Sequence, residues 1–171
     1  MSNVLENIVN QKKIDLLNVK KKYTNSLLSS LIKENKSYIN FENKITNNIK
    51  ENKISVIAEI KKASPSAGLI IKQYNPIEIA ENYILNGATC LSILTEEKFF
   101  LGNLQHITEV KNKFKIPVLC KDFFIDSYQI PLAKSFGADA ILIILSGVDN
   151  KLAMDLYQTA NELNVTSIVE V

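Results

Sequence analysis

Apolar residues recur at helical spacing from the start of the chain. Val4, Leu5, Ile8, Val9, Leu16 and Val19 are separated by lysines, acids and amides, which predicts an amphipathic helix over residues 4–22. A weaker helical stretch covers 27–33, and residues 37–53, polar with scattered apolar positions, lead into a different texture. Beyond residue 54 short apolar runs of β character recur at 55–60, 90–94, 117–123, 140–145 and 167–171. Each interval between them is long enough for one crossover helix.

The intervals carry helix punctuation. Asn75 before Pro76 supplies an N-cap and a first-turn proline, and Gly87 ends the helix they start. Asp126 is placed to cap a helix over 127–135 that Gly137 stops, with Pro131 early enough to tighten or kink its first turn. Asp149 or Asn150 begins a helix reaching about residue 163. Alternating strands and helices, with strands apolar almost throughout, predict an α/β fold: a parallel sheet covered by helices, either a barrel or a doubly wound sheet. Residues 1–50 then form a helical extension and 51–171 the βα portion.

Charged residues break the apolar strands only at their carboxyl ends. Glu59 and Lys61 share a face with Ile57, Lys121 shares one with Leu119 and Phe123 while Cys120 faces the other way, and Glu170 sits near the end of the last strand. Charges at the ends of buried strands are costly unless paired or used. A ring of salt bridges closing a barrel explains them structurally; a catalytic cluster explains them chemically, because such groupings are where pKa values shift. The segment KKASPSAG after the first strand lacks the glycine spacing of a dinucleotide-binding loop.

Composition narrows the classes. The 171 residues are 46% hydrophobic and 22% charged, with five glycines and four prolines, as in one ordinary folded domain. No apolar run is long enough to span a bilayer, and the first residues lack a signal-type apolar block, so a cytoplasmic location without membrane partners is expected. Cys90 and Cys120 lie inside apolar runs without metal-type spacing and read as small core residues. All 20 basic residues are lysine and the formal charge is +2, which argues against a nucleic-acid partner. The basic excess lies in residues 1–53, ten lysines against five acids, either as a solvated helix face or as a contribution to binding an anionic small molecule. Without arginine, a phosphate would be held by backbone N–H groups and lysine.

Three segments are specific enough to suggest a family. IAEIKKASPSAG (57–68), SILTEEKFFLGNL (92–104) and PVLCKDFFIDSYQIPLAKSFGADAILII (117–144) closely resemble indole-3-glycerol phosphate synthase, as do the closing IVEV and the N-terminal helix. The resemblance implies a (β/α)8 TIM barrel, here the helical extension capping the barrel mouth and the first five strands. It implies an enzyme of tryptophan biosynthesis that converts 1-(2-carboxyphenylamino)-1-deoxyribulose 5-phosphate into indole-3-glycerol phosphate, carbon dioxide and water without metal or organic cofactor.

By the same resemblance, Lys121 is the general acid for ring closure and Glu170 the base or cation stabiliser in dehydration. Lys61 holds the substrate carboxylate or serves as second acid, and Glu59 orients the lysines and stabilises positive charge on the substrate nitrogen. Ser64 donates to a substrate oxygen, and Phe100 lines an apolar slot for the aromatic ring. Taken alone, Phe100 is an ordinary core residue and the segment around Ser64 an ordinary turn. His106, on a presumed helix away from the strand ends, reads as structural.

Two departures stand out. Cys120 replaces a basic residue before Lys-Asp-Phe, on the face away from the mouth, where little catalytic effect is expected. A full barrel needs about 250 residues, so the chain is expected to be truncated, without most of the phosphate site, and inactive alone. The competing readings are a noncatalytic partial barrel serving as a binding or assembly module, and another phosphate-binding barrel enzyme such as phosphoribosylanthranilate isomerase. The implied partners are a phosphorylated small-molecule substrate and other tryptophan-pathway enzymes.

Overall fold

The computed structural model describes residues 2–35 and 37–171. Three helices come first, α1 (Ser2–Lys22), α2 (Asn25–Glu34) and α3 (Phe41–Lys50). Thr24 caps α2 by accepting from the Leu27 amide at 3.3 Å, and Asn40 caps α3 by accepting from that of Asn43 at 2.8 Å. The sequence pattern does not predict α3. Its core-packed apolar residues are Phe41 and Ile45, one helical turn apart in an otherwise polar segment.

Strand β1 (Ile57–Ile60) follows, then a hairpin of two-residue strands, β2 (Ala63–Ser64) and β3 (Gly68–Leu69). The remaining elements alternate: α4 (Pro76–Leu85), β4 (Cys90–Leu94), α5 (Gln105–Lys113), β5 (Val118–Lys121), α6 (Gln129–Ser135), β6 (Ala140–Ile144), α7 (Asn150–Glu162) and β7 (Thr166–Glu170). The five long strands pair in parallel in the order β1-β4-β5-β6-β7. Every crossover therefore steps to the next neighbour in one direction. A doubly wound sheet reverses direction at a switch point, and none occurs here, so the sheet is part of a barrel wall.

The helix punctuation works as the residues suggest, with one adjustment. Asn75 accepts from the Ile77 amide at 3.1 Å ahead of Pro76, Asp149 accepts from the Leu152 amide at 2.8 Å, and Gly87 and Gly137 adopt positive φ of 89° and 103°. Helix α6 begins later than 127, at Gln129, whose own side chain accepts from the Ile125 and Asp126 amides. Pro131 is the third residue of that helix, where an amide hydrogen has no helical acceptor, so it breaks no helical bond.

The two faces of the sheet bury different sets. Ile60, Leu91, Ile93, Val118, Cys120, Ile141 and Ile143 face the outer helices, packing with Ile107, Val110, Ile130 and Leu156. Cys90, Leu119, Ala140 and Leu142 face inward and meet Phe41 of α3, which plugs the amino-terminal end of the sheet. Asp139, fully buried, ties that end together: its carboxylate accepts from Lys111 Nζ at 2.6 Å, the Val118 amide at 2.8 Å and the Ile39 amide at 2.7 Å. Helices α1, α2 and α3 are thus spread around the sheet. Helix α1 lies against the turn Leu145–Gly147 and the loops after β4 and β5, α2 packs on α6, and α3 closes the opposite end.

Candidate active site

Alternation along β1 sends Glu59 inward, and Lys61, one residue beyond the strand, follows it on the same face. Lys121, the last residue of β5, points into the same space from two strands away. The Glu59 carboxylate bridges the two lysines: Oε1 accepts from Lys61 Nζ at 2.6 Å and Oε2 from Lys121 Nζ at 2.9 Å. All three side chains are about one-third exposed, so they are packed yet reachable. Burial raises the Glu59 carboxyl, but hydrogen bonds and attraction from Lys61 and Lys121 outweigh it and hold it below the ordinary carboxylate range. One carboxylate between two ammonium groups leaves the cluster with a net positive charge, suited to an anionic substrate.

Strand β4 lies between the partners and allows the bridge. Ser92 stands in register with Glu59 on one side and Leu119 on the other, while Leu94 stands in register with Lys121. The Ser92 hydroxyl is buried without a hydrogen-bond partner among the described residues. This residue lies within a quoted motif but carries no charge to single it out.

After β4 the loop is knotted by another residue that sequence reasoning did not single out. Glu96, 2% exposed, accepts from the amides of Lys98, Phe99 and Phe100 at 3.1, 2.6 and 3.0 Å. Gly102 donates to the Glu96 carbonyl at 2.7 Å, and a Cβ there would lie 2.3 Å from the Leu94 carbonyl oxygen, so only glycine fits. Phe100 is thereby held half-buried with its ring centroid 6.0 Å from that of Phe123, two aromatic faces beside the Lys121 strand end.

Among the described residues the other candidates form no hydrogen bond or ion pair with the lysine cluster. Ser64 accepts from the Ala67 amide at 3.1 Å and lies 3.3 Å from the Ser66 hydroxyl, so its hydrogen bonds are those of a turn residue. Glu170 is exposed at the end of β7, in register with Ile144 and separated from β1 by three strands, and forms no ion pair among the described residues. Cys120 faces the helices, and burial pushes its thiol up to about 12, as it does that of Cys90. His106 sits on α5 with its ring 5.3 Å from Tyr74, and burial lowers its pKa. Among the described residues no group of three or more His, Cys, Asp and Glu side chains could hold a metal ion, and no helix is long and apolar enough to cross a membrane.

Strands paired in chain order, with a charged cluster at their carboxyl ends, define this chain as part of a (β/α) barrel. A profile of the indole-3-glycerol phosphate synthase family matches residues 5–171, and the chain belongs to that family. It is 39% identical over 168 residues to the indole-3-glycerol phosphate synthase of Aliarcobacter butzleri, covering 98% of this chain and 64% of that protein. It is 42% identical over 171 residues to the tryptophan biosynthesis protein TrpCF of Buchnera aphidicola, covering all of this chain and 37% of that protein. The synthase of Burkholderia cenocepacia is 47% identical over 117 residues, 68% of this chain and 45% of that protein. The chain therefore spans between about one-third and two-thirds of the length of these relatives.

Proposed function

We propose that the protein is an indole-3-glycerol phosphate synthase, a decarboxylating carbon–carbon lyase of tryptophan biosynthesis that acts on 1-(2-carboxyphenylamino)-1-deoxyribulose 5-phosphate. The observation that carries this reading is the Glu59 carboxylate bridging Lys61 and Lys121 at the strand ends. The reaction joins the ring carbon bearing the carboxylate to the ketone carbon, and the ketone oxygen takes a proton to become a hydroxyl. Lys121 is the donor: an ammonium aimed at that oxygen acts as charge develops on it. The carbon–carboxylate bond then breaks, releasing carbon dioxide and restoring the aromatic ring. Loss of the hydroxyl as water needs a second proton, and a base must remove a proton from the cationic intermediate.

Lys61 serves the substrate carboxylate or the departing hydroxyl, and Glu59 holds both lysines and offsets positive charge on the nitrogen. Glu170 is the base for dehydration. Phe100, beside Phe123, offers the aromatic ring an apolar wall, and Ser64 contributes a hydroxyl from the hairpin after β1. No metal or organic cofactor enters these steps. The net positive cluster favours a phosphorylated anionic substrate, and the likeness to part of the longer Buchnera tryptophan biosynthesis protein TrpCF supports association with other tryptophan-pathway enzymes; a cytoplasmic location belongs to the same proposal. The test is turnover of the phosphorylated substrate by the full-length protein, followed by indole fluorescence with carbon dioxide measured in parallel. Equal amounts of the two products are expected; decarboxylation without indole formation, or no turnover, contradicts the assignment.

A further inference from the structure

Behind the lysine cluster, on the helix-facing side of the same strand ends, lies a second charged group that the proposed reaction does not use. Alternation sends Lys121 inward and Asp122 outward. Asp122 Oδ1 pairs with Lys12 Nζ of α1 at 2.7 Å, and its Oδ2 accepts from Thr95 Oγ1 at 2.9 Å. The two charged side chains are only 11% and 10% exposed. Burial pulls the Lys12 ammonium down, but attraction to and a hydrogen bond with Asp122 outweigh it and raise its pKa, so Lys12 stays charged. More exposed links run alongside: Lys98 with Asp15 at 3.2 Å, Lys20 with Asp126 at 2.5 Å, and the Tyr128 hydroxyl donating to the Tyr23 carbonyl at 2.6 Å. Exposed pairs contribute little. The Lys12–Asp122 pair is different, because loss of one partner leaves an uncompensated charge in a buried place.

We propose that Lys12 is a positioning residue for Lys121: by neutralising Asp122 at the back of the β5 end, it fixes the backbone that carries Lys121 to Glu59. An unpaired Asp122 must turn toward water, and Lys121 is its immediate neighbour in the chain, so that turn displaces the ammonium from the bridge. The role deepens the reading of Lys121 as the acid and rests on it; its test is separable because the bridge can be read without turnover.

Lys61 and Lys121 are the charges that lower Glu59, so the Glu59 titration, followed by NMR in the full-length protein, reports whether Lys121 is in place. Lys121→Met is expected to raise the Glu59 pKa, Lys12→Met to raise it at least half as far, and Lys12→Arg to restore the wild-type titration. In steady state Lys12→Met is expected to lower kcat about tenfold with little change in KM, a misplacement effect. An unmoved Glu59 titration in Lys12→Met overturns the role, whatever happens to the melting temperature, and so does an unmoved titration in Lys121→Met. If Lys12→Met does not fold, Lys12→Gln, which keeps a hydrogen-bond donor for Asp122 but does not neutralise it, is read in its place with the same two outcomes. Full activity in Lys121→Ala alongside a moved titration would instead remove the acid role and leave the Lys12 link standing.

Discussion

Glu59 illustrates how one side chain ties fold to chemistry. Two hydrogen-bonded lysines keep its carboxyl below the ordinary carboxylate range against the opposing effect of burial. A depressed folded-state pKa means that this residue's contribution to stability is fully present above the unfolded value and is lost as pH falls through the folded one. Melting temperature should therefore decline on the acid side of the ordinary carboxylate range, and Glu59→Gln should flatten part of that decline while lowering kcat by about a hundredfold, as for a misplaced catalytic group. Thermal melts of both proteins across the acid range, with kcat at neutral pH, check both expectations. The charges of Glu59, Lys61 and Lys121 were legible in the sequence because charge at the end of an apolar strand is conspicuous. Ser92 and Glu96 were not: one is small and neutral, and the other works through backbone amides of its own loop, which no side-chain pattern advertises.

At the scale of elements, the five long strands were legible because each is an apolar run with few polar interruptions, and the cap residues marked most helix starts. The hairpin β2–β3 was invisible, since two-residue strands have no periodicity, and α3 was hidden because only one turn of it faces the core. Asp139 shows what fastens the extension. Its carboxylate joins α5, the start of β5 and the segment before α3 through Lys111, Val118 and Ile39. Asp139→Ala leaves the Lys111 ammonium buried and unpaired, with two amides lacking acceptors, and should destabilise the protein by about 3–5 kcal/mol. Denaturant unfolding measures this; a change below about 1 kcal/mol would mean that the Lys111 ammonium reaches water when its partner is gone.

On the scale of the whole molecule, the alternating pattern alone is shared by a barrel and a doubly wound sheet; the charged strand ends, the missing glycine fingerprint and the family resemblance point to the barrel, which the strand order bears out. Strand order decides, and order is a property of long-range pairing that periodicity does not encode. In the 171-residue chain β1 and β7 are the two edges of the sheet, with Val169 46% and Ile57 40% exposed on them. Parallel strand edges of this kind recruit further strands. The isolated 171-residue chain is therefore expected to sediment as a dimer or larger species, and a monomer at every concentration tested would show that these edges are protected.

The central claim is that Lys121, held by Glu59, delivers the proton for ring closure. The most direct measurement is steady-state turnover of Lys121→Ala in the full-length protein. A proton donor acting mainly in the transition state predicts a kcat lower by roughly 10² to 10⁴ with KM little changed. A loss of less than about tenfold at saturating substrate would contradict the claim and move the acid role to Lys61.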